Sequence, residues 1–485
     1  MIARAGVFYG RRGAARLKWY VDSVHGNDGN TGTGPGSALR TIAALQAKIQ
    51  AGDHVGLARG SVWREQLEIG ADGVTVTAYG SGAKPLLDCS DLTGAAEWSK
   101  TSGYTNVYQA SVAVEGSGWM SVWEDDVRFL RTASLAELDT TAGRYFPSAD
   151  PSGAGTVTLY VHASDSSNPA ANAKRYEYSR RCYGLYTGHS HCTIEGLHTR
   201  RNLCNNGSLE VGRYCTLKDC LASEGTKHNL LVHGGCALVN VEAANSYYAG
   251  QSKVLMVWNQ DSPQGEDVVF VNCYGHDEFE GDAAAFYGHP NVSGSFGRIV
   301  LRGCRADHVQ VALPAVGDCA GVIIDSSDLW VVACTVNTTI TDSTIRGNFR
   351  CLNLNSSPTV TMRNSTILSS CSVADSGADC VVMIGGDGAT LDIQNSRITG
   401  TLKDGADYML NGICFLGIGT LISRNNVFEN LAHFYTFDGA TYSVDSDYNQ
   451  FNGPILAGSF RLPGWVWKTI PGWKEATGQD SHSTP

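Results

Sequence analysis

Short segments of alternating apolar and polar residues recur along the chain: CTIEGL (192–197), CTLKDC (215–220), CALVNV (236–241), VVFVNC (268–273) and IVLRGC (299–304). GVIIDS, TTITDS, VTMRNS, LDIQNS and LISRNN continue the series, and the fifth position falls at residues 196, 219, 240, 272, 303, 325, 342, 364, 395 and 425. Of the nine intervals, four are near 22 residues, four are near 31 and one is 17. A unit of that length predicts one three-stranded coil of a parallel β-helix, the longer intervals carrying about ten extra residues in a turn. The Leu-x-x-Leu-x-Leu signature of a leucine-rich repeat is absent.

Alternation fixes which side chains face inward. Two positions before the anchor stand Ile194, Leu217, Leu238, Phe270, Leu301, Ile323, Ile340, Met362 and Ile393, with Ser423 the exception. Cys192, Cys215, Cys236, Val268 and Ile299, four positions before it, share that face under a period of two. One position after it come Cys220, Cys273 and Cys304, then Ser326, Ser343, Ser365 and Ser396. The cysteines therefore read as small, nearly apolar core residues. The total of 15 is odd and scattered, so reduced thiols are expected, and no pair of Cys-x-x-Cys motifs suggests zinc. The anchor is often Asn or Asp, which suit bends because their side chains bond nearby backbone.

Composition agrees: 56 glycines and few stretches with helical periodicity suit many short strands joined by tight turns. A formal charge of -11 argues against nucleic acid as partner, since phosphate binding rests on clustered Lys and Arg. No apolar run approaches the roughly 20 residues of a membrane-spanning helix, so no membrane insertion is expected. The first residues are basic without a continuous apolar stretch, so export by the general secretory route is not expected either.

A solenoid needs a cover on its first coil. Leu39, Ile42, Leu45 and Ile49 lie on one helical face after Ser37, which predicts a capping helix. Residues 95–180 break the rhythm and read as an inserted β module, with Asp125-Asp126 at a turn. Trp98, Trp119, Trp123 and Tyr160 there are candidates for its small core or for a sugar subsite. The expected organisation is a basic tail (1–18), capping helix and first coils (19–94), the module (95–180), the main β-helix (181–450) and a closing segment (451–485).

The entry sequence WYVDSVHGNDGNTGTGPGSALRTI, with AGDHVGLARGSVWREQLEI, GVTVTAYGSGAKPLLD and the end GWKEATGQDSHS, resembles right-handed parallel β-helix proteins of the pectate-lyase-like kind. Many of these are carbohydrate-active, bacteriophage tailspike depolymerases among them. The resemblance implies an all-β, right-handed parallel β-helix acting on an extracellular or cell-surface polysaccharide. Through the tailspikes it also implies a homotrimer on a virion tail, made in the host cytoplasm without a signal peptide. The alternative location is extracellular.

Stacked coils bring equivalent positions about 4.8 Å apart, so offsets from the anchor predict neighbours. Five positions past it come Glu224, Asn245, Asp277 and His308, and eight past it come Lys227, Tyr248 and Glu280. The segment HDEFEGDAAAFYGH (276–289) lies at that edge, beside the long insertions. Glycoside hydrolysis needs two carboxyl groups roughly 5 to 9.5 Å apart. Asp282, with Asp277 or Glu280, is the leading candidate pair, with Glu224 and Asp307 in reserve and His276 beside them. Lys227, His228, Tyr247, Tyr248, Trp258, Tyr287 and His308 are candidates for substrate contact.

Elimination would need a base such as Lys227, His228, Tyr248 or His276, and neutralisation of a uronate that this acidic edge repels. Calcium would ease that repulsion, although residues 277–282 lack the spacing of a full calcium loop, and no cofactor is otherwise expected. The bland reading of the segment is a charged turn. The function expected is cleavage of a surface glycan by acid/base hydrolysis. Its rivals are a non-catalytic glycan-binding or structural tail or adhesion protein, and a bacterial polysaccharide lyase or epimerase.

Overall fold

The computed structural model describes residues 16–247, 253–257, 266–277, 284–288, 297–307, 309, 319–330, 332–334, 336–347, 349–352, 358–370, 380–385, 388–401, 411–437, 442–454, 460–464 and 466–485. Three parallel faces wind through them. The first sheet has 14 strands, from Trp19–Val21 to Tyr442–Asp447, and the second has 13, from Val62–Trp63 to Gln450–Pro454. The third face is split into six strands (Leu67–Glu68 to Ala284–Gly288) and seven (Val332–Cys334 to Val466–Lys468). Successive coils each lay one strand on each face, which is the parallel β-helix that the repeat predicts.

Registers confirm the inward row: Ile194 pairs with Leu217, Leu217 with Leu238, Leu238 with Phe270 and Phe270 with Leu301. All five are at most 1% exposed. Burying each side chain stabilises the solenoid by about 1.5–3 kcal/mol. The row continues through Ile324, not Ile323, because Leu301 pairs with Ile324 and Ile324 with Ile340. The contiguous run Val322-Ile323-Ile324 lacks the alternation that fixes a register, so the turn position there is Ser326 rather than Asp325, and the residue after it is Ser327.

That turn position is left-handed in coil after coil, at Asp219, Asn240, Asn272, Gly303, Ser326, Asp342, Asn364, Asn395 and Asn425. Asn, Asp and Gly tolerate this conformation best, which explains the anchor's composition. The next position carries a polar ladder through the interior. Cys304 N donates to Ser327 Oγ (3.1 Å), Ser327 N to Ser343 Oγ (3.1 Å), Ser343 N to Ser365 Oγ (3.2 Å) and Ser365 N to Ser396 Oγ (3.1 Å). Each hydroxyl satisfies an amide that the turn would leave buried and unbonded.

The capping helix is shorter than the pattern suggests. It spans Ile42–Gln46, and Thr41, not Ser37, caps it by accepting from Ala44 N. Ser37 instead ends a 3-10 turn, Pro35–Ser37. Ile42 and Leu45 still seal the core. At the far end the helix Ile470–Thr477 buries Trp473, which stacks on Phe460 at 4.7 Å and donates from Nε1 to Asp480 at 2.9 Å.

Between the strands Leu86–Asp88 and Leu185–Thr187 the chain leaves the coil and builds two mixed or antiparallel sheets around the long hairpin of Tyr108–Ser117 and Ser152–His162. Asp125 and Asp126, at φ 48 and 66, join Val122–Glu124 to Val127–Arg128 as a two-residue turn. Trp98 packs in this segment's own core. Trp123 is 1% exposed and lies beneath the Arg201 guanidinium, 4.5 Å from it.

The thiols are not all reduced. Cys182 is disulfide-bonded to Cys204, and Cys380 to Cys414, whereas Cys192, Cys215, Cys220, Cys236, Cys273 and Cys304 are free core residues. The pattern could not show this, because each bridge joins residues that only the tertiary structure brings together.

Candidate functional site

The turn from the second sheet to the third is left-handed at Arg201, Glu224, Asn245 and Asp277, one residue per coil. The preceding positions pair in order, Arg200 with Ser223, Ser223 with Ala244, Ala244 with His276 and His276 with Asp307. Glu224, Asn245 and Asp277 are thus stacked as their offsets predict. Asn245 N donates to the carbonyl of Asp277 at 3.1 Å. Glu280, Asp282, Tyr248, Trp258 and His308 lie outside the described residues.

His276 is the centre of what the turn assembles. Its Nδ1 lies 2.7 Å from Asp277 Oδ2 and its Nε2 3.3 Å from Glu242 Oε1. Its ring stacks on Tyr274 with centroids 3.9 Å apart. Tyr274 donates its hydroxyl to Asp307 Oδ1 at 2.6 Å, and Asp307 also receives Arg305. Burial and the Asp307 carboxylate push the Tyr274 hydroxyl up to about 12, so it stays a donor. These groups span three successive strands of the second sheet's outer face.

Glu224 belongs to a different arrangement, bonded to the buried Arg201. Tyr247 accepts from Arg128 through its carbonyl at 2.9 Å, and its ring lies 4.0 Å from that guanidinium. Lys227 is half-buried at the entry to the third sheet, and burial lowers its pKa. His228 is 5% exposed on the strand His228–Val232, and Tyr287 lies on Ala284–Gly288 of the same sheet, its hydroxyl raised by burial. Among the described residues, no three His, Cys, Asp or Glu side chains are placed to hold a metal ion, and no helix is long and apolar enough to cross a membrane.

The outer face of this third sheet holds a group that the sequence pattern did not single out. Tyr186 pairs with Glu68 on one side and Glu210 on the other, and Leu231 follows Glu210. Glu68 is exposed, but Glu210 is only 8% exposed and its Oε2 has no hydrogen-bond partner among the described residues. Asn206 bonds the Glu210 carboxyl and donates to the Tyr183 hydroxyl at 2.6 Å. The rings of Tyr183 and Tyr186 lie 4.8 Å apart. Burial raises the Glu210 pKa to about 7, so its carboxyl is substantially protonated near neutrality.

No protein-family model matches the chain, and no curated protein sequence matches it. Solved structures do. XylC in complex with xylose is similar over 96% of this chain and 86% of its own, with a TM-score of 0.58 and 11% identity. A PL6 alginate lyase in complex with a trisaccharide matches over 93% and 88% (TM-score 0.48, 11% identity). A glycoside hydrolase matches over 96% and 99% (TM-score 0.46, 9% identity). With its long all-parallel sheets, the chain is a parallel β-helix protein of the pectate-lyase-like fold that its entry sequence resembles.

Proposed function

We propose that this chain binds a surface polysaccharide along its stacked coils and degrades it by hydrolysis. The observation that carries the reading is the cluster around His276. An imidazole held between Asp277 and Glu242 stacks on Tyr274, which is itself held by Asp307. Aromatic rings contact the apolar faces of sugars and carboxylates accept from their hydroxyls. Coils about 4.8 Å apart repeat such contacts at nearly the length of one sugar unit. The shared fold with a protein solved with xylose supports a carbohydrate ligand.

Hydrolysis is favoured over elimination because the turn's outer groups are carboxylates, which repel a uronate. A tailspike-type trimer on a virion is the setting we infer from the entry-sequence resemblance. Sedimentation of the full chain tests the trimer.

The reading is tested with a panel of purified bacterial capsular and O-antigen polysaccharides. The expected result is retention of one glycan and release of shorter fragments without the ultraviolet absorbance of an unsaturated sugar. Absorbing fragments would replace hydrolysis by elimination. Retention without fragments would leave only glycan binding, and neither retention nor fragments would overturn the reading altogether.

A further inference from the structure

The geometry points to Glu210 and Glu68, on the outer face of the third sheet, as the carboxyl pair that breaks the glycosidic bond, with Tyr186 between them as the floor on which the sugar ring rests. The inference rests on the reading that the substrate is a glycan, and it places the chemistry away from the His276 turn, which then serves to hold the chain.

Three observations converge. Glu210 is 92% removed from solvent relative to full exposure (8% exposed), and its Oε2 lacks a partner among the described residues, which is unusual for a carboxyl group. Among the described residues no cation bonds it, and Asn206 is its one bonded side chain. Glu68 sits two coils away in strict register through Tyr186, but in open solvent. An acid and a base require two carboxyl groups in surroundings that differ in this way, one buried and one exposed.

The spacing defines the reaction course. Two coils separate the backbones by about 9.6 Å, twice the strand spacing, which is nearer the roughly 6.5–9.5 Å carboxyl separation of an inverting hydrolase than the roughly 5–5.5 Å of a retaining one. Protonated Glu210 gives its proton to the glycosidic oxygen as the bond from that oxygen to the anomeric carbon breaks, the electron pair staying on the oxygen. The Glu68 carboxylate takes a proton from a water whose oxygen bonds the anomeric carbon on the opposite face. Glu210 is left as carboxylate and Glu68 as acid, and exchange with solvent resets both.

The test compares wild type with Glu210→Gln, Glu68→Gln and Asp277→Asn on a polysaccharide of the panel that wild type cuts. Glu210→Gln and Glu68→Gln are expected to lower the cleavage rate by about 10²–10⁴-fold while glycan retention holds and neither variant melts below wild type. Asp277→Asn is expected to weaken retention more than the rate at saturation. The wild-type pH profile should fall on its alkaline side near 7, and the first sugar released should carry the inverted anomeric configuration. Undiminished cleavage by both glutamine variants overturns this inference and leaves the glycan reading standing. Retained configuration overturns the role of Glu68. If wild type neither retains nor cuts any member of the panel, the glycan reading itself falls.

Discussion

Arg201 is fully buried between the coils and the inserted strands, and its Nη1 donates to the equally buried Glu177 Oε2 at 2.5 Å. Its Nη2 donates to Asp126 at 2.9 Å, its Nε to Glu224, and its plane lies over Trp123. Glu177 and Asp126 come from the inserted segment and Glu224 from the next coil, so one guanidinium ties three pieces of chain together. Removing it leaves Glu177 buried without that partner. Arg201→Met should lower stability by about 3–5 kcal/mol in denaturant unfolding of the full chain. An unchanged midpoint would refute the role.

Ser343 is a rung of the internal ladder, accepting from Ser327 N and donating to the Thr341 carbonyl at 2.6 Å. Ser343→Ala would leave a buried amide without its acceptor, with an expected loss of about 1–3 kcal/mol. Thr339→Ala, one turn away on the outer face of the first sheet, should change stability by less than about 0.5 kcal/mol.

Asn395 has φ 52 and its amide donates to the Arg424 carbonyl at 3.0 Å. A β-branched side chain disfavours that conformation, so Asn395→Val should destabilise by about 1–2 kcal/mol, whereas Asn395→Gly keeps the backbone geometry and should be nearly neutral. Equal melting temperatures for the two variants would show that the left-handed turn can relax.

Two buried groups give opposite pH dependences. Burial raises Glu210 from 4.5 to about 7, so the folded chain holds this proton more tightly than the unfolded one. The associated stability is complete below 4.5 and is lost as pH rises through about 7. Glu210→Gln should therefore gain on wild type in melting temperature across that interval. His198, lowered from 6.5 to about 4 by burial and then by Arg200, resists protonation when folded. Its contribution is complete above 6.5 and is lost as pH falls through about 4, so His198→Gln should flatten the acid limb of the melting curve.

Cys182 and Cys204 are 22 residues apart in sequence and bridge the end of the inserted segment to a coil turn. Closing a loop of that size is worth about 3 kcal/mol in the unfolded-state entropy account. The double variant Cys182→Ala, Cys204→Ala should melt lower by a corresponding amount. Melting unaffected by the double change would mean that the contacts of Leu203 and Trp119 already fix this junction.

The repeat was readable because the inward row and the turn asparagines recur at coil length, and both carry direct physical requirements: apolar packing in one case, a left-handed backbone in the other. Register failed only at Val322-Ile323-Ile324, where three consecutive β-branched residues look alike from either face. The helix start moved from Ser37 to Thr41 because Asp28, thirteen residues upstream, accepts from the Arg40 and Thr41 amides and holds the chain extended until there. The stacking of Glu224, Asn245 and Asp277 was legible from offsets, but the assignment of Glu224 to Arg201 was not, since its competitors for that guanidinium come from the inserted strands.

By itself, the sequence determined the solenoid, its core rows and the edge on which polar groups accumulate, because strand alternation and turn conformation are local properties. Tertiary structure alone decided which carboxyl groups are exposed, which are paired and which are stranded. Glu210 looks in sequence like one polar residue in an alternating strand, yet Tyr183, Tyr186 and Leu231 from neighbouring turns and coils enclose it. Solvation is set by whatever packs around a group, and for Glu210 those neighbours come largely from other coils.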